Sequence, residues 1–498
     1  GLQLLKMNVL HLHLSDDQGF RFGSLALPKL ASDDHYTIEQ LRALVAYAAD
    51  RGVRVVPELD VPGHVTHWLR AYPQWGSEEV YASQRFGVHP GCLDPTREEV
   101  YAALSSLFAE IAEVFPDQYV HVGGDEVNPK WWQRSAAVQA FIVEHGLADE
   151  RGLQNYFLHC VQQILASLGR QIIGWDEVLH EQMPECVVQN WRGATTRDRA
   201  LAVARSCIVS APYYLDLHFP ADIHYQFDPE ASQQSWLAME NALAEDRRLR
   251  HIAPALSWTH QWRAGAIELE HEPVANVLGG EACLWAELVD GPTLPMRLWS
   301  RLPAIAERLW SSADCHDSED FYRRLLTLLE FPELSWDAHQ NQCLQDLGLS
   351  AIQIEVVRWL EPTKWYSRLL GAQAMQARLQ GSEMPQARPY QVHTPLNRVV
   401  DFLAPESLSV RNLVREENLQ ELTEKCDRAL AQLWSGVDGE VVTALTATRD
   451  ALQLTQDASA GRRAKDQVLS VLEERYQPYG EYLPALIPHL IDWLTEAG

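Results

Sequence analysis

The first part of the chain alternates between short, β-branched apolar runs and longer segments that repeat with a helical period. Apolar runs of this length, bounded by turn residues, predict buried strands. Two of the longer segments, 37–52 and 96–115, begin with a threonine that can cap a helix and continue with acidic residues. Strands that alternate with amphipathic helices predict an α/β fold with a parallel sheet. Seven strands are predicted in this way, at residues 7–14, 53–59, 118–124, 170–177, 186–191, 207–212 and 276–285.

Polar clusters stand at the end of nearly every predicted strand, and in chain order they read HLSDD, ELDVPGH, GGDE, GWDE, QNWRG and EACLWAE. Functional side chains of a barrel lie at the carboxyl ends of its strands. No GxGxxG motif follows the first strand to favour a doubly wound sheet instead. The predicted fold is therefore a (β/α)8 TIM-type barrel. Because such a barrel needs eight strands, we expect its first strand upstream of Gly1 and a gap between segments 276–285 and 7–14.

The pattern changes towards the carboxyl terminus, where long helical repeats such as 409–434 and 461–476 follow one another without a strand pattern. A loop is predicted at 381–395, where proline and polar residues accumulate. We therefore predict two parts, a barrel domain over residues 1–317 and a mainly helical C-terminal region over residues 318–498.

Composition narrows the class of partner. The 498 residues include 41 Lys and Arg against 68 Asp and Glu, a net charge of −27. So acidic a surface repels phosphate backbones and anionic lipid, which argues against nucleic acid and membranes as partners. Seventeen tryptophans suit sugar binding, since their flat rings stack on pyranose faces. The eight cysteines lack metal-site spacing and favour free thiols over disulfides.

The stretch HVGGDEVNP, residues 121–129, carries the first candidate chemistry. Neighbouring side chains on a strand point to opposite sides, so Asp125 and Glu126 can reach one site only where the strand ends and turns. Gly123 and Gly124 supply the backbone freedom for that turn. Taken alone, the pair is either a catalytic pair of carboxylates or the N-terminal cap of the next helix.

Neighbouring motifs favour the catalytic interpretation. In chain order, the motifs HLHLSDDQGFR, PELDVPGH, HVGGDE, GWDEV, QNWRG, YYLD and GGEACLWAELVD, followed by RLWSRLPAIAERLW, resemble family 20 glycoside hydrolases, the β-N-acetylhexosaminidases. The resemblance runs from about residue 6 to residue 310 and is specific, because independent motifs agree in order and in position on the predicted barrel. No signal peptide is visible at the start of the chain, and we expect a periplasmic or extracellular location.

The resemblance implies a retaining, substrate-assisted mechanism in which the 2-acetamido oxygen of the sugar attacks the anomeric carbon. Glu126 then matches the general acid and base, and Asp125 the residue that holds the acetamido N–H. Tyr214 matches the residue that donates a hydrogen bond to the acetamido oxygen. Asp16 and His64 match a pair behind the acid, although a strand-end aspartate can also cap and a histidine after Pro-Gly can also serve a turn.

The resemblance also implies a sugar subsite. Trp175, Trp191 and Trp285 match its aromatic walls, while Asp216 and Glu287 match residues that bind outer hydroxyls. The alternative for any single tryptophan is core packing.

Three features depart from the family pattern. The arginine that ends the first barrel strand has no counterpart here, and the small α/β domain that usually precedes the barrel is absent from this sequence. The loop after the Tyr-Leu-Asp triplet lacks the usual tryptophan, for which His218, His224 or Tyr225 are candidate substitutes. Segment 395–407 resembles a helical extension of some bacterial members.

The predicted function is an exo-β-N-acetylhexosaminidase that removes terminal non-reducing GlcNAc or GalNAc from oligosaccharides or glycoconjugates. Neither a metal nor an organic cofactor is implied. The alternative is a catalytically impaired, hexosaminidase-like carbohydrate-binding protein. An aldolase- or isomerase-type barrel would need a Schiff-base lysine at a strand end or a phosphate-binding glycine loop, and the sequence shows neither.

Overall fold

The computed structural model describes residues 1–179, 185–256, 276–380, 382, 389–411, 413–416 and 418–496. Within this part of the chain there are two compact units, described separately below. The first contains residues 1–212 and 276–281, and the second contains residues 213–256 and 282–496. The boundary predicted between residues 317 and 318 falls inside the second unit and stays a prediction, and the predicted loop at 381–395 lies partly outside the described residues.

The first unit is built on one parallel sheet of seven strands that pair in chain order. Its strands are β1 Val9–His13, β2 Arg54–Glu58, β3 Tyr119–His121, β4 Gln171–Trp175, β5 Val187–Asn190, β6 Cys207–Val209 and β7 Val277–Gly280. Among the described residues, β1 and β7 are the edges of the sheet. All seven predicted strands are present, and the predicted barrel-type α/β fold is confirmed.

One face of this sheet changes from apolar to polar along its first five strands. Val56, Ile173 and Val187 form a small buried cluster, against which Val9, Tyr119 and Ile208 pack. Two residues further along, and so on the same face, β1 to β5 carry His11, Glu58, His121, Trp175 and Gln189. The carboxyl end of the sheet therefore holds a buried polar layer above an apolar one.

Helices cover the other face and bury their apolar sides in the main core of this unit. Thr37 caps the first helix through a capping box with Gln40, as predicted. The predicted cap at Thr96 is wrong, because the Thr96 hydroxyl binds the buried Asp94 carboxylate and the helix begins at Glu98. The α-helices are α1 Ile38–Ala49, α2 Thr66–Ala71, α3 Glu98–Val114, α4 Lys130–Arg134, α5 Ala136–Glu144, α6 Glu150–Ser167 and α7 Ala194–Ala202.

The second unit is mainly helical and has its own apolar core. Its α-helices are α8 Ala221–Gln226, α9 Gln233–Leu243, α10 Leu294–Trp299, α11 Leu302–Trp310, α12 Ser318–Leu328, α13 Asp337–Asp346, α14 Ala351–Val357, α15 Ser367–Leu379, α16 Leu413–Glu416, α17 Leu419–Leu430, α18 Gly439–Ser459, α19 Lys465–Arg475 and α20 Leu486–Glu496. None of the helices in the described part of the chain is long and apolar enough to cross a membrane.

Two details of the C-terminal region differ from the sequence prediction. Strand β8, Leu360–Pro362, pairs antiparallel with strand β9, Tyr482–Pro484, where only helices were expected. The helix predicted over 409–434 is broken, because Asn418 caps a new helix at Leu419. All eight cysteines are free thiols, as expected.

Candidate active site

Asp125 and Glu126 come shortly after β3, behind a turn that only glycine permits. Gly123 has a φ of 67°, and a Cβ atom there would lie 1.7 Å from Oδ1 of Asp60. The turn packs against the segment after β2, since the Val61 N–H donates to the carbonyl of Val122 at 3.0 Å. Both glycine conformation and the close approach of Asp60 therefore fix where the two carboxylates leave the sheet.

The cap interpretation of this carboxylate pair is wrong. Helix α4 begins at Lys130, and its N-cap is Pro129, which offers no side-chain acceptor. Both carboxylates instead approach one imidazole: Nε2 of His64 lies 3.5 Å from Oδ2 of Asp125 and 3.7 Å from Oε2 of Glu126.

His64 and Glu126 share an unusual backbone conformation. Their φ angles are 55° and 49°, and residues other than glycine seldom adopt positive φ values. Strain of this kind persists only where the surroundings enforce it, and it concentrates at functional sites. The backbone is thus turned at both residues so that the imidazole meets the carboxylate pair.

Behind His64 stands Asp16, as the sequence predicts. Nδ1 of His64 lies 2.9 Å from Oδ1 of Asp16. Burial disfavours charge on both groups, yet Asp60, Asp125 and Asp16 raise the pKa of His64 well above its usual value. In turn, the charges of His64 and His13 lower the pKa of Asp16. His64 is therefore an imidazolium at neutral pH, wedged between carboxylates.

Glu126 has the protonation behaviour that a proton donor needs. Burial, followed by the neighbouring charge of Asp125, raises its pKa to about 7, while His64 and Arg192 act in the opposite sense. Its side chain is nevertheless 39% exposed, so that an incoming group can reach it. A carboxyl group of this kind is still partly protonated at neutral pH.

The two tryptophans of the first unit differ in environment. Trp175 is 2% exposed, and its indole N–H donates to Oε1 of Glu58 at 3.0 Å. Trp191 is half-buried, and its indole N–H donates to Glu177 at 3.0 Å. Trp175 is therefore part of the polar layer of the sheet, whereas Trp191 keeps part of its ring surface accessible.

The remaining four predicted residues lie in the second unit and come together there. Tyr214 pairs with Cys283 in an isolated parallel bridge, which aligns the turn after residue 213 with the segment after residue 282. Asp216 and Glu287 are close enough to interact: burial, then the Glu287 charge, raises the pKa of Asp216 to about 8. Trp285 belongs to the same group, because its backbone N–H acts on the Asp216 carboxyl group and lowers its pKa.

The ten candidate residues thus form two groups. Asp16, His64, Asp125, Glu126, Trp175 and Trp191 lie in the first unit, and Tyr214, Asp216, Trp285 and Glu287 lie in the second. That both groups line one sugar site stays a prediction.

Comparison with known proteins identifies the family. Residues 1–313 match the family model described as glycosyl hydrolase family 20, catalytic domain. The chain belongs to glycosyl hydrolase family 20. It is 34% identical over 337 residues to human β-hexosaminidase subunit beta, an alignment that covers 64% of this chain and 54% of that protein. A subunit of the same name from Entamoeba histolytica is 32% identical over 338 residues, covering 64% of this chain and 56% of the relative.

This family 20 chain spans about half the length of the curated relatives it matches. The likeness to one solved structure reaches further. The X-ray structure of Flavobacterium johnsoniae chitobiase superimposes with a TM-score of 0.80 at 26% identity, covering 99% of this chain and 74% of that one.

The structure also contains a polar network that the sequence analysis missed in this family 20 chain. Glu58 is its centre: Oε2 lies 2.8 Å from Nδ1 of His13 and 3.0 Å from Nε2 of His11. Its other oxygen, Oε1, lies 2.9 Å from Nδ1 of His121 and accepts the indole N–H of Trp175. The motif HLHL already indicated it, because His11 and His13 are two residues apart on one strand and therefore point to the same face.

The network brings the edges of the sheet together. Nδ1 of His11 on β1 lies 2.7 Å from Oε1 of Glu281, just after β7, and the Gln189 amide also donates to Glu281. One possible metal-ligand atom from each of His11, Glu58 and His121 lies within 4.8 Å of the other two, a spacing that is compatible with a bound metal ion. The Glu58 oxygens, however, are already engaged by hydrogen bonds, so the group is accounted for as a hydrogen-bonded network.

In the second unit, the turn that carries Tyr214 and Asp216 is held by main-chain hydrogen bonds. Arg301 is fully buried and donates to the carbonyl of Leu215 at 2.6 Å. The backbone N–H of Trp365 donates to the carbonyl of Leu217 at 2.7 Å. Because the planar guanidinium and the peptide N–H are both fixed in direction, the turn has little freedom to move.

The proposed substitutes for the missing family tryptophan do not offer a ring surface. His218, His224 and Tyr225 are 2%, 0% and 1% exposed. Tyr225 also donates its hydroxyl to Glu307 at 2.7 Å. All three belong to the interior of the second unit, so that expectation is wrong.

Proposed function

We propose that this chain is an exo-β-N-acetylhexosaminidase that releases terminal non-reducing N-acetylhexosamine, GlcNAc or GalNAc, from oligosaccharides or glycoconjugates. The observation that carries the proposal is the convergence of Asp125 and Glu126 on His64 at the carboxyl end of β3. Membership of family 20 supports it, as do the names of the relatives, β-hexosaminidase and chitobiase.

In the first step, the acetamido oxygen attacks the anomeric carbon while the bond from that carbon to the leaving oxygen breaks. Glu126 transfers its proton to the leaving oxygen, and an oxazolinium ion forms. The pKa of Glu126, about 7, suits this role, because the acid must be protonated in the free enzyme and able to release its proton.

Asp125 stabilises the charge that develops on the acetamido nitrogen. Its Oδ1 is buried and has no hydrogen-bond partner among the described residues, so an acetamido N–H can bind there. Tyr214 donates a hydrogen bond to the acetamido oxygen and orients it for attack. A nucleophile that belongs to the substrate explains why no second carboxylate needs to stand across the sugar ring.

In the second step, Glu126, now ionised, removes a proton from water as the water attacks the anomeric carbon and opens the oxazolinium ring. Two inversions at the same carbon give net retention, and Glu126 regains its proton. His64 remains an imidazolium throughout, and its charge helps to stabilise the ionised form of Glu126 between the steps.

The other candidates bind the terminal sugar. Trp191 and Trp285 keep accessible ring surface for its apolar faces, and Trp175 closes the base of the site. Asp216 and Glu287 bind outer hydroxyls. Burial and the Glu287 charge raise the pKa of Asp216 to about 8, so Asp216 carries a proton at neutral pH in the free chain.

The test is the dependence of turnover on the 2-substituent. We expect kcat/KM for 4-nitrophenyl N-acetyl-β-glucosaminide to exceed that for 4-nitrophenyl β-glucoside by at least about 10³-fold, because the glucoside lacks the nucleophile. A thiazoline analogue of the oxazolinium ion should inhibit tightly. Similar rates on both glycosides would reject substrate assistance, and sugar binding without turnover would favour the carbohydrate-binding alternative.

A further inference from the structure

A second histidine stands behind the pair Asp16–His64. His13 is the last residue of β1, and both of its ring nitrogens face carboxylates. Nε2 lies 3.3 Å from Oδ2 of Asp16, and Nδ1 lies 2.8 Å from Oε2 of Glu58. The two carboxylates therefore flank one imidazole from opposite sides.

An imidazole between two carboxylates carries a proton on each nitrogen. Burial alone would lower the pKa of His13, but the Glu58 charge and hydrogen bonds to Asp16 and Glu58 raise it to about 10. His13 is consequently a cation at neutral pH, and it donates to both acids.

Glu58 makes a firm anchor for this cation. Its side chain is 1% exposed and is hydrogen-bonded by His13 and by Trp175, with Nε2 of His11 and Nδ1 of His121 at 3.0 Å and 2.9 Å from its oxygens. This buried carboxylate cannot change rotamer without leaving the donors of His13 and Trp175 unsatisfied. The position of the His13 ring is thus set by the interior of the sheet.

The orientation of the Asp16 carboxylate depends on the His13 ring, which contacts one of its two oxygens. Oδ1 of Asp16 is bound by the backbone N–H of Asp17 at 2.6 Å and by Nδ1 of His64 at 2.9 Å. Its other oxygen, Oδ2, has His13 beside it, while the side chain is 33% exposed. Without His13, water would compete for Oδ2, and the carboxylate plane could turn away from His64.

We propose that His13 is a positioning residue: anchored on Glu58, it holds Asp16 in the orientation that binds His64, and through His64 it sets the acid strength of Glu126. The inference rests on the proposed function and extends it by one further link, from the active site into the interior of the sheet. Charge alternates along the link, negative at Glu58 and Asp16 and positive at His13 and His64.

Four charged groups act on the pKa of Glu126. Asp125, Asp16, His64 and Arg192 act on Glu126 directly. His64 is faced in turn by three further carboxylates, of Asp16, Asp17 and Asp60, besides the catalytic pair. Removing the His13 cation makes ionisation of Glu126 less favourable, so its pKa rises and the basic limb of the pH profile moves to higher pH.

The test is a double-mutant cycle in the full chain, with His13→Gln, Asp16→Asn and the double variant, read as kcat/KM against pH on 4-nitrophenyl N-acetyl-β-glucosaminide. A glutamine amide can donate to Glu58 or to Asp16, but it carries no charge. We expect His13→Gln to lower kcat by about 10- to 100-fold, the range found for groups that orient a metal-binding histidine, with KM within about twofold. The basic limb should shift to higher pH, and the double variant should match Asp16→Asn alone.

The matched control is His67→Gln. His67 is half-buried on α2, but its Nε2 lies 2.9 Å from the carbonyl of Leu30 and it takes no part in the network. Its replacement should leave kcat and the pH profile unchanged. If the double variant instead loses kcat/KM by the product of the two single losses, the effects are independent. In that case, or if the basic limb does not move, His13 has only a structural role and the proposal is wrong.

A second measurement does not depend on turnover. In protein labelled with ¹⁵N-histidine, the His13 signal, assigned by its loss in His13→Gln, should remain that of an imidazolium at pH 8. His13→Gln should also shift the His64 signals, whereas His67→Gln should not. A neutral His13 at pH 8 or unshifted His64 signals would overturn the inference. A wild-type chain that passes this test yet hydrolyses no N-acetylglucosaminide would reject the proposed function alone.

Discussion

The turn after β3 and the turn at residues 214–218 place their functional side chains by different means. Asp125 and Glu126 are set by charged side chains, with His64 3.5 Å and 3.7 Å away and Asp16 behind it. Tyr214 and Asp216 stand on a turn whose carbonyls accept hydrogen bonds from Arg301 and from the Trp365 backbone. Charged neighbours tune protonation, whereas main-chain hydrogen bonds fix shape. We therefore expect changes at the first turn to alter rate and pH dependence, and changes at the second to alter affinity and stability.

The largest effect should come from Glu126→Gln. This change removes the proton donor and keeps the shape, so turnover of an unactivated disaccharide such as chitobiose should fall by about 10³- to 10⁴-fold. Binding of a thiazoline inhibitor should persist. Glu78→Gln is the matched control, because Glu78 forms a solvent-exposed ion pair with Arg134; it should keep the wild-type rate. A Glu126→Gln rate within tenfold of wild type would remove Glu126 from the mechanism.

Asp125→Asn should have the next largest effect. Loss of the charge that stabilises the acetamido nitrogen should lower kcat/KM on the order of 10²-fold. Asp125 also raises the pKa of Glu126, so its loss should lower that pKa and move the basic limb to lower pH, opposite to the shift expected for His13→Gln. Asp149→Asn, at the N-cap of α6, keeps a capping side chain and serves as control. An unchanged basic limb would contradict the coupling of the two carboxylates.

Arg301→Lys tests the second turn and should have the smallest kinetic effect. A lysine ammonium cannot span the carbonyls that the guanidinium binds, so unfolding free energy should fall by about 2 kcal/mol and KM should rise several-fold with kcat nearly unchanged. Arg308→Lys is the matched control. Arg308 is also buried and also donates to main-chain carbonyls, those of Ser312 and Cys315, but these lie away from the turn. It should cost similar stability without raising KM. Equal KM values in both variants would show that the turn is not held by Arg301.

The sequence predicted more of the sheet than of the site. Each strand contains a short run of β-branched or other apolar residues, so all seven could be located, but their ends were placed too far along. The segment 207–212, for example, yields only Cys207–Val209, because pairing with both neighbouring strands ends at Val209. Strand β8 was missed since three residues that end in proline carry no strand pattern.

The site shows the same limit. The motifs named Glu126 and His64, but the link from His13 to Glu58 depends on the pairing of β1 with β2, which sets His13 opposite Glu58. Register is a property of the folded sheet, and a single sequence does not state it. Likewise, the anchoring of the turn at residues 214–218 by Arg301 joins segments 86 positions apart.

The most direct test of the account is the configuration of the first product. Time-resolved ¹H NMR of 4-nitrophenyl N-acetyl-β-glucosaminide hydrolysis by the wild-type chain distinguishes the anomers of free GlcNAc before they equilibrate. The account predicts that the β-anomer appears first and the α-anomer later, because attack by the acetamido oxygen and then by water gives two inversions at one carbon. If the α-anomer appears first, water attacks directly, and the roles assigned to Asp125 and Glu126 are contradicted.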